Sequence, residues 1–191
     1  MSLLTTASVR QRAKRVASTN FSAGRILAEM MEKQASVQAF DIFLSHAFDD
    51  KELILGVALV LEDLGHTVYL DWRDDPTLDR KNVNGATAEK LRIRMRQSRC
   101  LFYATTENSS SSKWMPWELG YKDGQSNLCA ILPIQASLPR SFKGQEYLGI
   151  YPYITQERDT AENEELWVRR SATCYVILKS WLAGIEPTER G

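Results

Sequence analysis

The chain has 191 residues, 43% of them hydrophobic, enough for one good-sized core with a modest appendage. Its 24 basic and 24 acidic residues balance, so no overall field draws it to nucleic acid or an anionic membrane, and neither is an expected partner. Cys100, Cys129 and Cys174 and the two histidines have no metal-ligand spacing, and no apolar run approaches the roughly 20 residues of a membrane span, so a zinc-held or membrane-spanning fold is not expected.

Residues 5 to 36 carry Val9, Ala13, Val16, Ile26, Leu27, Met30 and Met31 among several arginines, the pattern of one broken or two short amphipathic helices packed on the domain surface. Phe40 to Ser45 is a short apolar run that fits a buried parallel strand. Asp49 or Asp50 then caps a helix whose apolar set runs from Leu53 to Leu64 and stops at Gly65. His66 to Leu70 is a second strand, ending at Asp71-Trp72 and followed by a long polar loop from Arg73 to Asn84. Gly85 to Gln97 is a second helix, with Arg92, Arg94, Arg96 and the following Arg99 read as a solvated face. Cys100 to Ala104 is the third strand, and a serine-rich loop leads on to Trp114. Leu128 to Ile134 is the fourth strand, stopped by Pro133, and Leu148 to Tyr151 a short fifth. Asp159-Thr160-Ala161-Glu162 has the form of a capping box opening a last helix through Trp181 to Gly184. Cys100 and Cys129 open apolar runs, as reduced core thiols of a cytoplasmic protein do.

Strands alternating with helices predict an α/β fold, a flavodoxin-like, doubly wound parallel sheet of about five strands with right-handed crossovers. Ligands of such sheets bind beyond the carboxyl ends of the strands. That edge gathers Ser45-His46-Ala47-Phe48, Asp71-Trp72-Arg73, Thr105-Thr106 and the segment Ser112-Lys113-Trp114-Met115-Pro116-Trp117-Glu118. In this segment Pro116 suits a helix's first position and Ser112 its cap. Glu118 is then expected in the first turn, where the helix N-terminus favours an ionised carboxylate, with Trp114 folding back as a flat wall. A carboxylate beside an aromatic wall suits a cationic ring-shaped ligand.

With these segments placed, the chain resembles the Toll/interleukin-1 receptor (TIR) domain family, particularly small bacterial members. The first box is matched by Phe40-Asp41-Ile42-Phe43-Leu44-Ser45-His46-Ala47. The second strand with its terminal Asp is matched by Val68-Tyr69-Leu70-Asp71, leading into the so-called BB loop at residues 72 to 84. The Trp that precedes a catalytic Glu by four positions in NAD-cleaving members is matched by Trp114 and Glu118. The resemblance implies a TIR domain over residues 38 to 184, with residues 1 to 37 a helical extension and 185 to 191 a tail.

It also implies cleavage of the nicotinamide–ribose bond of NAD, as substrate and with no cofactor. Glu118 would be catalytic, and Trp114 would hold the pyridinium. His46, Ala47 and Phe48 match positions lining the nucleotide, and Ser45, Asp71 and Trp72 complete the expected substrate-binding set. Three function classes follow: an NAD glycohydrolase or cyclase, which as in many standalone bacterial TIR proteins would serve antiphage immunity; a non-catalytic interaction module; and another N-glycosidic enzyme such as a nucleoside deoxyribosyltransferase. Self-association through the BB loop, and an effector that senses the nucleotide product, are the expected protein partners.

Overall fold

The structure, a computed structural model, describes residues 4–18, 39–78, 84–135 and 146–190. Its centre is β2 (Phe40–Ser45), apolar on both faces because both are covered. β3 (Val68–Tyr69) and β4 (Ser98–Thr105) flank it in parallel, and β5 (Cys129–Gln135) and β6 (Tyr153–Arg158) continue the parallel order. Between them run α2 (Lys51–Asp63), the short α3 (Asp71–Asp74), α4 (Gly85–Gln97) and α5 (Trp114–Ser126). The sheet order β3-β2-β4-β5-β6 is the doubly wound arrangement that strand–helix alternation predicts.

Alternation along the strands divides the core. Ile42, Leu44, Cys100, Phe102, Ala130 and Leu132 pack against α2 on one face. Phe43, Leu101, Tyr103, Cys129 and Ile131 point to the other, with Leu91 and Met95 of α4 and Met115 and Leu119 of α5. Burial raises both core thiols, that of Cys129 to about 12, so they stay unionised as inert packing.

The N-terminal segment packs on the domain as a helix, but it begins with a strand the periodicity does not announce. β1 (Leu4–Thr5) pairs in parallel with Ile134 and Gln135 of β5, and α1 (Thr6–Ser18) lies against α2. Gly56 permits the contact: a Cβ there would fall 2.0 Å from the Val9 carbonyl oxygen. Arg12 anchors the helix by a bidentate pair with Asp63, at 2.6 and 2.9 Å. Ile26, Leu27, Met30 and Met31 lie outside the described residues.

Three local readings are corrected. Leu148 to Tyr151 is not a strand; Glu146–Ile150 forms a 3-10 turn, and β6 starts after Pro152. Pro133 does not stop β5, which runs two residues past it to Gln135, because one missing donor near a strand end costs little. The capping box opens no helix. Asp159 Oδ1 accepts from the backbone N–H groups of Ala161 and Asn163, and Glu162 takes a left-handed φ of 65°, which together turn the chain. β7 (Glu164–Arg169) then returns antiparallel to β6, followed by β8 (Cys174–Ile177) and β9 (Thr188–Glu189). Helix is left only at α6 (Leu178–Leu182). Leu166 and Val168 are buried on alternate positions, the period of a strand, and the alternation prevails over the cap signal.

The root of the 73–84 loop is also less exposed than its charges imply. Arg73 is fully buried, bonded to Glu62 at 2.7 Å, Asp74 at 2.8 Å and the Val68 carbonyl at 2.6 Å. Asp75 accepts from Arg94 and Tyr69 and pairs with Lys90. Arg94 is therefore no solvated side chain but a clasp between α4 and the loop. Residues 79 to 83 lie outside the described residues.

Candidate active site

At the carboxyl end of β2, Ser45 points to the same face as Phe43 and meets α5. Its hydroxyl donates to Glu118 Oε2 at 2.6 Å, a contact between residues 73 positions apart. Both side chains are wholly buried. So short an O–H···O contact is of the charge-assisted kind, and it fixes the carboxylate's orientation.

α5 begins at Trp114, with the Ser112 hydroxyl accepting from the Met115 N–H at 3.3 Å. Pro116 is thus third in the helix instead of first, still where an N–H has no helical partner. Glu118 is fifth, just past the first turn, so the helix dipole favours it less than the sequence implies. Trp114, half-buried, lies one turn before it on the same side of the helix. Trp117 belongs elsewhere: it meets Trp114 edge-on, stacks on Tyr121 and lies under the Arg92 guanidinium, an outer ladder between α4 and α5.

The loop after β2 divides its residues between structure and surface. His46 is buried, its Nδ1–H donating to the Leu44 carbonyl at 2.8 Å while Nε2 faces Asp71 Oδ1 at 3.4 Å. This approach brings together the residues that follow β2 and β3. Ala47 is buried and its carbonyl accepts from the Asp50 N–H. Phe48 is 41% exposed, and the Lys51 ammonium lies 4.1 Å from its ring centre and 5.8 Å from that of Trp72. Phe48 and Trp72 thus flank one cation, away from the Ser45–Glu118 contact in chemistry.

Sequence reasoning missed three residues here. Asp50 holds the cap position of α2 as expected, but its side chain makes no capping bond; it accepts instead from Thr106 Oγ1 at 2.5 Å and Asn108 Nδ2 at 2.7 Å, locking the loops after β2 and β4 together. Lys122, one turn beyond Glu118, is buried and donates to the carbonyls of Met95 and Ser98 at 3.0 and 2.6 Å; burial lowers its pKa. Tyr103 is opposite Ser45 in the sheet register. An isolated Asp, Lys or Tyr in a helix or strand carries no signal of such contacts, which join segments distant in sequence. Among the described residues no cluster of His, Cys, Asp and Glu could hold a metal, and no helix is long and apolar enough to cross a membrane.

The chain is 44% identical over 167 residues to a protein of Bacillus cereus (strain MSX-D12) named "Probable 3' cyclic ADP-D-ribose synthase ThsB'", an alignment covering 86% of each chain. It is 30% identical over 102 residues to the "Putative cyclic ADP-D-ribose synthase TIR2" of Cytobacillus dafuensis, covering 52% of this chain and 27% of that one. The crystal structure of the TIR domain of a Hydra magnipapillata Toll-related receptor, TRR-2, aligns with a TM-score of 0.45 at 19% identity, over 60% of this chain and 82% of the other. A family profile described as TIR domain matches residues 42–167, from the third residue of β2 past the middle of β7. The chain belongs to the TIR domain family.

Proposed function

We propose that this protein cleaves the bond between nicotinamide and ribose in NAD, with Glu118 as the catalytic carboxylate. The observation that carries the reading is the buried Glu118 held by Ser45 at the carboxyl edge of the sheet, one turn after Trp114. The name of the Bacillus cereus relative, a cyclic ADP-D-ribose synthase, supports the same chemistry.

The nicotinamide is already cationic, so the C–N bond breaks with its electron pair leaving on neutral nicotinamide, and no general acid is needed. The C1′ left behind has oxocarbenium character, as in glycoside hydrolysis. A fixed carboxylate in a dry setting stabilises that charge far better than one in water. Capture of C1′ by water gives ADP-ribose; capture by a hydroxyl of the same molecule gives a cyclic ADP-ribose. In both, the attacking oxygen loses its proton to Glu118 or to solvent. Since Glu118 is wholly buried, substrate entry displaces half-buried neighbours such as Trp114, whose ring then faces the pyridinium. Phe48, Lys51 and Trp72 at the same edge suit the remaining aromatic and anionic parts of a dinucleotide.

In this reading the protein is cytoplasmic, its cyclic product is a signal in antiphage immunity, and an effector senses it. Self-association through the loop after β3 completes the site. Because Arg73, Asp74 and Asp75 are bonded within the chain, that contact falls to residues from Pro76 onward. Incubation of the purified protein with NAD and, separately, with deoxynucleosides, followed by chromatography, tests the reading. NAD converted to nicotinamide and a cyclic or linear ADP-ribose supports it; base exchange on deoxynucleosides, or no turnover of either, rejects it. A specific activity that stays flat with protein concentration rejects the self-association.

A further inference from the structure

Tyr103 stands out among the buried polar groups. Its side chain is 3% exposed, yet its hydroxyl makes no hydrogen bond with any described residue. The ring packs in the core, but the hydroxyl is not sealed inside it, so the O–H can meet a group that enters at the carboxyl edge of the sheet. The register shows where it stands. In parallel strands, residues opposite each other share a face, and Tyr103 is opposite Ser45 in β2 on one side and Ile131 in β5 on the other. Ser45 holds Glu118, so Tyr103 flanks the carboxylate from the neighbouring strand. Burial, with Tyr147 and the Glu118 carboxylate adding to it, pushes the phenol up to about 12. At neutral pH it is an un-ionised donor.

We infer that the Tyr103 hydroxyl is a substrate-binding group, donating a hydrogen bond to an oxygen of the ribose that Glu118 acts on. The inference rests on the NAD-cleaving reading above. The ribose is the part of NAD that must reach Glu118, and its hydroxyls are both acceptors and donors. A carboxylate on one side can only accept, so a second group that donates on the other side fixes the sugar's rotation. Ser45 cannot do this, because its hydrogen is committed to Glu118.

Tyr103→Phe removes the hydroxyl and keeps the ring. With no partner to lose among the described residues, the variant keeps the wild-type melting temperature. Its kcat/KM for NAD falls about three- to tenfold, the effect of one neutral hydrogen bond. In a Glu118→Gln background, where NAD binds without turnover, Tyr103→Phe weakens NAD affinity by a comparable factor in calorimetry. If wild type cleaves NAD and Glu118→Gln does not, but Tyr103→Phe matches wild type in kcat/KM and affinity, the Tyr103 assignment alone is overturned. A clear loss of melting temperature also overturns it, because the hydroxyl then has a structural role. If wild type neither binds nor cleaves NAD, the functional reading fails and this inference fails with it.

Discussion

The two faces of the sheet are built to different rules. The face under α1 and α2 is an apolar mass from Leu4 to Trp181, with helices close enough that Gly56 meets the backbone at Val9. The face under α4 and α5 is richer in aromatic rings and embeds Ser45, Glu118 and Lys122 among them. Burying an aliphatic side chain contributes about 1.5–3 kcal/mol, whereas burying a polar group is at best near neutral once its hydrogen bonds are made. One face therefore supplies stability and the other spends part of it on a fixed constellation.

The largest separation of the two comes from Glu118→Gln. On the proposed function it lowers NAD turnover by about a hundredfold or more, while the melting temperature stays level or rises, because a buried charge is exchanged for a neutral amide of the same shape. Turnover within a few-fold of wild type in the folded variant would sink Glu118 as the catalytic group.

Gly56→Ala probes the opposite face. In an exposed helix the change would stabilise by up to about 1 kcal/mol. Here the added Cβ meets the Val9 carbonyl oxygen at 2.0 Å and α1 must shift, so denaturant titration is expected to show a net loss of about 1–3 kcal/mol, with turnover per folded molecule unchanged. A gain in stability would mean that α1 does not pack where described.

Trp114→Ala is expected to lower kcat/KM for NAD about tenfold through loss of the ring face, with Trp114→Phe retaining part of the activity. Equal, wild-type values for both would make Trp114 packing alone.

The smallest effect concerns pH. Burial opposes ionisation of Asp75, but hydrogen bonds from Arg94, Lys90 and Tyr69 outweigh it and hold the carboxyl below its ordinary 3.8. Its folded pKa being depressed, Asp75 contributes stability that is fully present above pH 3.8 and is lost as pH falls through the folded value. Asp75→Asn should remove about 1 kcal/mol at pH 6 and less at pH 3, measured by denaturant unfolding at both. An equal loss at both pH values would separate the loop clasp from ionisation.

Much of the parallel half was legible in the sequence because its signals are local. The apolar run of Phe40–Ser45, the 3.6-residue period from Lys51 to Asp63, and the spacing of Trp114 and Glu118 each lie within one element, and strand–helix alternation leaves few topologies. The β6–β9 edge was misread for the complementary reason: Asp159 satisfies backbone N–H groups equally well in a helix cap and in a turn, and only the neighbouring strands decide which forms. The clasp of Asp75 by Arg94 and the approach of His46 to Asp71 were likewise beyond reach, since contacts across a fold leave no periodic trace.

By itself, then, the sequence determined the α/β class and the order of the central elements, and singled out Glu118 beside Trp114 as the candidate carboxylate, since each depends on residues within a few positions of one another. Tertiary structure alone decided that Ser45 holds Glu118 across 73 residues and that Tyr103 stands opposite Ser45 in the next strand. Those contacts depend on strand register and helix placement, which are set by the packing of the whole core and encoded in no single segment.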